Sequence, residues 1–205
     1  MDVIFKNMSD EKRDKIINSA LEEFSKNSFE KASTNNIVKK AGISKGLLFH
    51  YFSNKKELYE KLEEFTLKTV TEKVKNEVDW QGTDIFDRLK QITLIKLKII
   101  NQYPFIYDFA LMLLEKKSIE ALKKQTKEMS PDLISKVYTY NIDFSLFKEG
   151  IDKERAMKII EWTLEKMGEE IIRKRISEDK KIDFTHMVDE AEKYTEILRK
   201  AFYKQ

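Results

Sequence analysis

The sequence predicts an all-α protein. Lys, Glu, Leu and Ile dominate its 205 residues, and only 5 Gly and 2 Pro leave few positions for hairpins or helix breaks. Apolar residues recur at intervals of three and four along most of the chain, as they do on one face of a helix. With 41% hydrophobic and 37% charged residues, the chain is long enough to bury a sizeable core in one or two domains.

The helices are predicted in order from these apolar stripes and from their cap residues. Ser9 precedes a helix over 10–26, Ser33 and Thr34 precede a short helix over 35–40, and Ser44 precedes another over 45–51. Longer helices are expected over 55–78, 84–103, 152–177 and 183–203. The expected architecture has about nine helices, with a first domain over 1–54 and a second over 55–205.

Composition excludes several classes of protein. There is no cysteine and there are only two histidines, His50 and His186, so disulfides, thiolate zinc sites and cysteine nucleophiles are ruled out. We expect no catalytic residue, no metal site and no cofactor, and an all-α enzyme is the least supported interpretation. The start lacks the apolar run of a signal peptide, and no 18 apolar residues follow one another, which predicts a soluble, cytoplasmic protein without a membrane partner.

Basic charge is concentrated near the N-terminus. Residues 31–56 contain six lysines and no acid, and residues 1–56 carry 11 basic and 7 acidic side chains, a net charge of +4. Residues 57–205 carry 28 basic and 29 acidic side chains, a net charge of −1. This asymmetry favours a polyanion as partner. A solvated, lysine-rich surface is the alternative, and charge alone does not decide between them.

The segment 34–51 has the order of a helix-turn-helix, with the helix over 10–26 packed behind it and Gly42 able to supply the left-handed conformation of the sharp turn. Ser44 and Lys45 at the start of its second helix can reach phosphate, and Gly46 allows close approach to a DNA backbone. Leu47 and Leu48 can meet either a thymine methyl group or the core. Phe49 or Phe52 is expected to pack inward, whereas His50 and Tyr51 present rings that carry hydrogen-bond donors.

The same residues resemble a known family. The stretch KIINSALEEFSKNSFEKASTNNIVKKAGISKGLLFHYFSNKKELYEKL is similar to the DNA-binding domain of the TetR (tetracycline-repressor) family over roughly residues 12–62. The motif Gly-Ile-Ser-Lys-Gly, followed by an aromatic residue and His-Tyr-Phe, carries most of this resemblance. Many members have Thr-Leu or Ser-Leu where this chain has Leu47-Leu48, so a hydroxyl is missing at a position predicted to face DNA.

The resemblance implies roles for individual residues. Three at the start of the first short helix would contact phosphates, five on the second would face the groove, and Lys55 would hold a phosphate. Simple helix capping is the alternative for Ser33 and Thr34. Together with Ser44, the predicted DNA-binding residues are Ser33, Thr34, Asn35, Lys45, Gly46, Leu47, His50, Tyr51 and Lys55.

The resemblance also implies that the second domain binds an effector and forms a homodimer. The apolar residues predicted for these two roles are named below, and the alternative for all of them is that they belong to the core of the monomer. The predicted dimer interface contains Leu164, Gly168, Ile171, Met187, Ala191, Tyr194 and Leu198. The candidate effector pocket contains Phe86, Tyr103, Phe105, Phe109, Met112, Tyr138, Phe144, Phe147 and Trp162.

The predicted function is therefore a homodimeric, sequence-specific DNA-binding transcriptional regulator. It is predicted to be a repressor that binds a palindromic double-stranded operator and is released by a small apolar or aromatic ligand. The alternative is a helical protein-interaction module whose basic N-terminal helices bind an acidic partner protein. The salt dependence of binding to duplex DNA would separate the two.

Overall fold

The computed structural model describes residues 8–117, 119–178 and 184–204. This part of the chain contains ten α-helices, one 3₁₀ turn at Phe144–Leu146 and no strand, so the all-α class is confirmed and the helix count is one above the predicted nine. The helices are α1 (Asp10–Lys26), α2 (Thr34–Ala41), α3 (Lys45–Tyr51), α4 (Lys55–Glu77), α5 (Ile85–Gln102), α6 (Ile106–Lys116), α7 (Ile119–Met129), α8 (Leu133–Thr139), α9 (Lys153–Glu178) and α10 (Phe184–Phe202). The start predicted at residue 183 lies outside the described residues.

The chain divides into two compact units. Of the described residues, the first unit holds 8–72 and 98–129, and the second holds 73–97 and 130–204. Helices α4 and α5 therefore contribute residues to both units. These units are defined by packing and not by function. The domain boundary predicted between residues 54 and 55 therefore remains a prediction.

The core of the first unit is built around α1, which packs against α2 and α6. Leu21 and Phe24 on α1 are fully buried. The ring of Phe24 meets the edge of Tyr59 on α4 at a centroid distance of 5.1 Å and lies 6.5 Å from the ring of Phe109 on α6. Aromatic contacts of this kind add about 0.5–1.5 kcal/mol each to the free energy of burial. They join α1 to α4 and α6, and α1 in turn packs against α2.

The core of the second unit joins the start of α5, the first turns of α9 and the end of α10. The ring of Phe86 lies 4.9 Å from that of Tyr203, which in turn lies 4.9 Å from the ring of Phe147. Phe147 and Tyr203 also form an isolated antiparallel β-bridge. Ile160 on α9 is buried in the same cluster.

A buried cation, Arg88, lies at the edge of this core with 1% of its surface exposed. Its guanidinium donates to the carbonyl oxygens of Val137 at 3.0 Å, Tyr140 at 2.7 Å and Gly82 at 2.7 Å. One side chain therefore satisfies carbonyl groups at the end of α8 and in the turn before α5.

No helix in the described residues is long and apolar enough to cross a membrane.

Candidate nucleic-acid interface

A buried carboxylate on α1 positions the start of α2. Glu23 is 4% exposed, and its Oε1 accepts hydrogen bonds from the Ser33 backbone N–H at 2.8 Å and the Asn36 Nδ2 at 3.3 Å. The Asn27 Nδ2 lies 3.4 Å from the same oxygen. The sequence analysis missed this role, although Glu23 follows Ile16 by seven residues and so lies on the apolar stripe of α1.

Local caps then set the geometry of the helix-turn-helix. The Ser33 hydroxyl accepts from the Asn36 N–H at 3.4 Å, and the Ser44 hydroxyl accepts from the Leu47 N–H at 3.1 Å. Between the two helices, Gly42 has a φ of 67°, in the left-handed region that favours glycine. The capping roles considered for Ser33 and Ser44 are thus observed, and Gly42 makes the sharp turn that the sequence predicted.

The two faces of α3 have different environments. Leu48 on α3 and Phe52 directly after it are buried at 1% exposure, so they fix the helix to the core. Gly46 and His50 are exposed on the opposite face, four residues apart and therefore one above the other. Phe52 is the aromatic residue that packs inward, and Leu48 is the leucine that meets the core.

Further side chains flank this exposed face. Lys45 is exposed and its Nζ lies 6.0 Å from the centre of the Phe49 ring, while the rings of His50 and Tyr51 meet edge to face at 5.2 Å. Leu47 is half-buried and keeps an apolar edge available. The surface around Gly46, where no side chain covers the backbone, thus carries the ammonium of Lys45, the imidazole of His50 and the apolar edge of Leu47. These groups suit phosphate and base-edge contacts in a major groove.

The predicted DNA-binding residues at the start of α2 are at least partly accessible. Thr34 is half-buried and Asn35 is exposed in the first turn. The ten predicted residues thus lie along α2, α3 and the first residue of α4, and their contacts with DNA remain predictions.

Lys55 has a structural role that the sequence did not predict. Its Nζ donates to the carbonyl oxygens of Ala32 at 2.8 Å and Glu30 at 3.2 Å, and it lies 4.8 Å from the centre of the Phe29 ring. An ammonium has three donors, so one N–H is left for the predicted phosphate contact. Lys55 therefore first ties the start of α4 to the loop before α2.

Neighbouring acids neutralise part of the basic segment. Glu22 on α1 pairs with Lys26 at 2.6 Å and with Lys40 at 2.9 Å, and these hydrogen bonds hold its pKa below the ordinary value. Lys56 lies 3.7 Å from Glu60. Lys39 and Lys45 are exposed on α2 and α3. These two exposed lysines of the helix-turn-helix are placed to attract a polyanion.

The residues predicted to line an effector pocket fall into both units. In the first unit, Tyr103 donates its hydroxyl to Asp14 Oδ1 on α1 at 2.9 Å, and Phe109 belongs to the aromatic core. Phe105 lies under Lys26 at 5.0 Å, and the Tyr59 hydroxyl lies 3.5 Å from the sulfur of Met112. The Tyr103 hydroxyl is thus directed at α1.

In the second unit, Phe86 and Phe147 are core residues and Tyr138 packs against their cluster. Phe144 and Trp162 are 37% and 61% exposed and so lie at the surface. The effector pocket stays a prediction.

The predicted dimer residues divide between surface and core. Leu198 is 7% exposed and belongs to the core of the second unit, against which Leu164 also packs, so both have the role of monomer core that was the alternative. Tyr194 is 41% exposed. Among the described residues, no atom lies within 4 Å of the position that a Cβ on Gly168 would take, so none of them requires a glycine there. The half-buried members are Ile171, Met187 and Ala191.

Further apolar residues are exposed on α9 and α10. Ile159 and Trp162 on α9 are 43% and 61% exposed, and Ile197 on α10 is 62% exposed, one turn after Tyr194.

Within the described residues, no three His, Cys, Asp or Glu side chains group in a way that could hold a metal ion.

The comparisons with known proteins agree with this geometry. Residues 16–62 match the family model of the bacterial regulatory proteins of the tetR family. A search of the curated proteins finds no match by sequence.

Solved structures share the fold over most of the chain at low sequence identity. FadR of Bacillus halodurans, a fatty acid degradation regulator, is 19% identical, with 91% of this chain and 97% of that one covered and a TM-score of 0.60. FadR of Bacillus subtilis in complex with stearoyl-CoA is 18% identical, with 90% and 96% covered and a TM-score of 0.57. SmeT, the repressor of the Stenotrophomonas maltophilia efflux pump SmeDEF, is 15% identical, with 94% and 91% covered and a TM-score of 0.57.

The all-α fold and its N-terminal helix-turn-helix define a helical DNA-binding regulator of transcription rather than an enzyme. Residues 16–62 form the helix-turn-helix domain of the tetR family of bacterial regulatory proteins.

Replacing His50 by alanine is expected to relax sequence specificity while leaving the fold intact, because the side chain is exposed and only its ring contact with Tyr51 is lost. If the imidazole reads a base edge, one position of each half-site should lose about 1–3 kcal/mol of discrimination. Fluorescence anisotropy with a set of single-base operator variants measures this. An equal loss of affinity for every sequence would instead make His50 a positioning residue.

Proposed function

We propose that the protein is a homodimer that binds a palindromic DNA operator, represses transcription and is released by a small ligand. The observation that carries the DNA-binding part is the exposed Gly46–His50 face of α3, held in place by the buried Leu48 behind it. A single helix-turn-helix reads only a few base pairs. Dimers of such modules read two half-sites about 34–36 Å apart, one helical turn of DNA.

The apolar surface of α9 and α10 supports the homodimer. Ile159 and Trp162 are three residues apart on α9, and Tyr194 and Ile197 are three residues apart on α10, so each helix exposes a short apolar stripe. A twofold interface uses the same patch on both subunits. Two such helices from each protomer would bury these stripes together.

The comparisons support regulation by a ligand. One structure with the same fold is a FadR bound to stearoyl-CoA, and another is a repressor of a multidrug efflux pump. For this chain we propose an effector with an apolar or aromatic body, bound in the second domain. A regulator of this kind acts on the chromosome and therefore in the cytoplasm.

Binding to duplex DNA taken from the region flanking its own gene tests the proposal. A dimer that contacts several phosphates should lose orders of magnitude in affinity between about 50 and 200 mM salt. A footprint should cover two symmetric half-sites. Binding that is equally strong for an acidic protein and absent for all duplex DNA would favour the alternative of a protein-interaction module.

Replacing Trp162 by glutamate is expected to weaken the dimer at least about tenfold, since central aromatic residues carry much of the energy of an interface and a charge there would be buried. Sedimentation velocity measures the change. Ile134 on α8 is 50% exposed, so Ile134→Glu is the matched control and should leave the dimer unchanged. Equal dissociation constants for the wild-type protein and the Trp162 variant would place the interface elsewhere.

A further inference from the structure

Helix α2 exposes two polar stripes. Ile37 is fully buried and marks the inner face of the helix. Asn35 and Lys39 lie two residues before and two residues after it, so both lie on the opposite side of the helix. Asn36 and Lys40 form the second stripe, and they are also exposed. The members of each stripe are four residues apart and therefore lie one above the other.

The stripe formed by Asn36 and Lys40 is bound to α1, which packs against α2. The Asn36 Nδ2 donates to Glu23 Oε1 at 3.3 Å, and the Lys40 ammonium pairs with Glu22 at 2.9 Å. Two neighbouring acids of α1 therefore occupy both of these side chains. Their negative charge offsets that of Lys40 and disfavours a phosphate on this side of α2.

The stripe formed by Asn35 and Lys39 has no such partners. Within the described residues, no hydrogen bond or ion pair involves either side chain, and both are exposed. Lys39 lies in the last turn of α2, where its carbonyl oxygen accepts from the Gly42 N–H at 3.4 Å. Its ammonium is thus an exposed, unpaired cation on the side of α2 that faces away from the core.

We propose that Lys39 contacts a DNA phosphate, so that the stripe of Asn35 and Lys39, and not that of Asn36 and Lys40, lies along the DNA backbone. This rests on the proposed function, because it names the side of α2 that meets the operator. In a helix-turn-helix the first helix crosses the backbone while the second enters the major groove. Exposed amide and ammonium groups are typical donors to phosphate oxygens. Lys39 lies one helical turn after Asn35, which the family resemblance already assigned to phosphate.

Salt titration of DNA binding tests the proposal. Fluorescence anisotropy of the full-length protein is measured with a duplex from the region flanking its own gene and with a scrambled duplex of equal length. At about 50 mM salt, Lys39→Gln should bind both duplexes at least about tenfold more weakly, because a charge-assisted contact is lost. Its plot of log affinity against log salt should be shallower by about one for each protomer bound. Lys39→Arg should keep the wild-type slope.

The adjacent lysine provides the matched control. Lys40→Gln removes the same charge from the next exposed position, but the ammonium that it removes is paired with Glu22. This variant should keep the wild-type slope and an affinity within about twofold of wild type. Lys39→Gln should melt at the wild-type temperature, because it replaces an exposed side chain that has no partner. Its weaker binding would then not come from a loss of fold.

The outcomes separate this proposal from the proposed function. A wild-type slope for Lys39→Gln, an equal loss for Lys40→Gln, or a loss confined to one of the two duplexes would overturn the assignment of Lys39 and leave the proposed function standing. Failure of the wild-type protein to bind either duplex would overturn both.

Discussion

Replacing Glu23 by alanine is expected to lower the free energy of unfolding by about 2–4 kcal/mol and to weaken DNA binding with it. The carboxylate is buried and accepts from the Ser33 N–H, the Asn36 amide and the Asn27 amide. Its loss leaves the Ser33 N–H and the Asn36 amide without this acceptor and frees the start of α2, whereas the Asn27 amide keeps the backbone carbonyl of Glu23 at 3.1 Å. Chemical denaturation followed by circular dichroism measures the stability, and anisotropy with duplex DNA measures the binding.

Two variants serve as controls for this prediction. Glu23→Gln keeps an acceptor oxygen for the Ser33 N–H and should lose less stability than the alanine variant. Glu22→Ala removes partly exposed ion pairs with Lys26 and Lys40, which are worth about 0–1 kcal/mol. A Glu23 variant as stable as the Glu22 variant would show that the buried carboxylate does not hold the helix-turn-helix in place.

Arg88→Met is expected to cost about 3–5 kcal/mol, the largest effect on the second unit. Methionine fills part of the volume but leaves the carbonyl oxygens of Gly82, Val137 and Tyr140 without their common donor. The end of α8 and the turn before α5 would both loosen. Thermal and urea unfolding of the full chain measures the loss.

Arg88→Lys should recover only part of this stability, because an ammonium lacks the planar fork that reaches several carbonyl groups. Arg155 on α9 is an exposed arginine that pairs with Asp152, and Arg155→Met should change the stability by no more than about 0.5 kcal/mol. If Arg88→Met unfolds at the same urea concentration as Arg155→Met, the carbonyl contacts contribute little.

Helix boundaries were predictable because their signals are local. The predicted spans 10–26 and 45–51 coincide with α1 and α3. The cap of α3 at Ser44 and the left-handed turn at Gly42 were also predicted from the sequence. Each depends on atoms within a few residues of one another, so one stretch of sequence contains both partners.

Lys55, which was predicted to hold a phosphate, has contacts that could not be predicted from the sequence. Lys55 begins α4 as expected, yet its ammonium lies at carbonyl groups of the loop before α2, 23 and 25 residues earlier. Nothing near Lys55 in the sequence indicates that loop as a partner. The 61% exposure of Trp162 could not be predicted from the sequence either, since an apolar stripe on a helix does not indicate which neighbour covers it.

By itself, the sequence determined the all-α class, the helix-turn-helix at residues 34–51 and the family of the domain that contains it, because helix periodicity, caps and a short motif are local properties. Only the tertiary structure decided which polar groups meet. Glu23 and the Ser33 N–H are 10 residues apart in sequence, Arg88 and the Val137 carbonyl are 49 apart, and Tyr103 and Asp14 are 89 apart. Such pairs form when helices pack and bury their side chains, and burial makes each group require a partner.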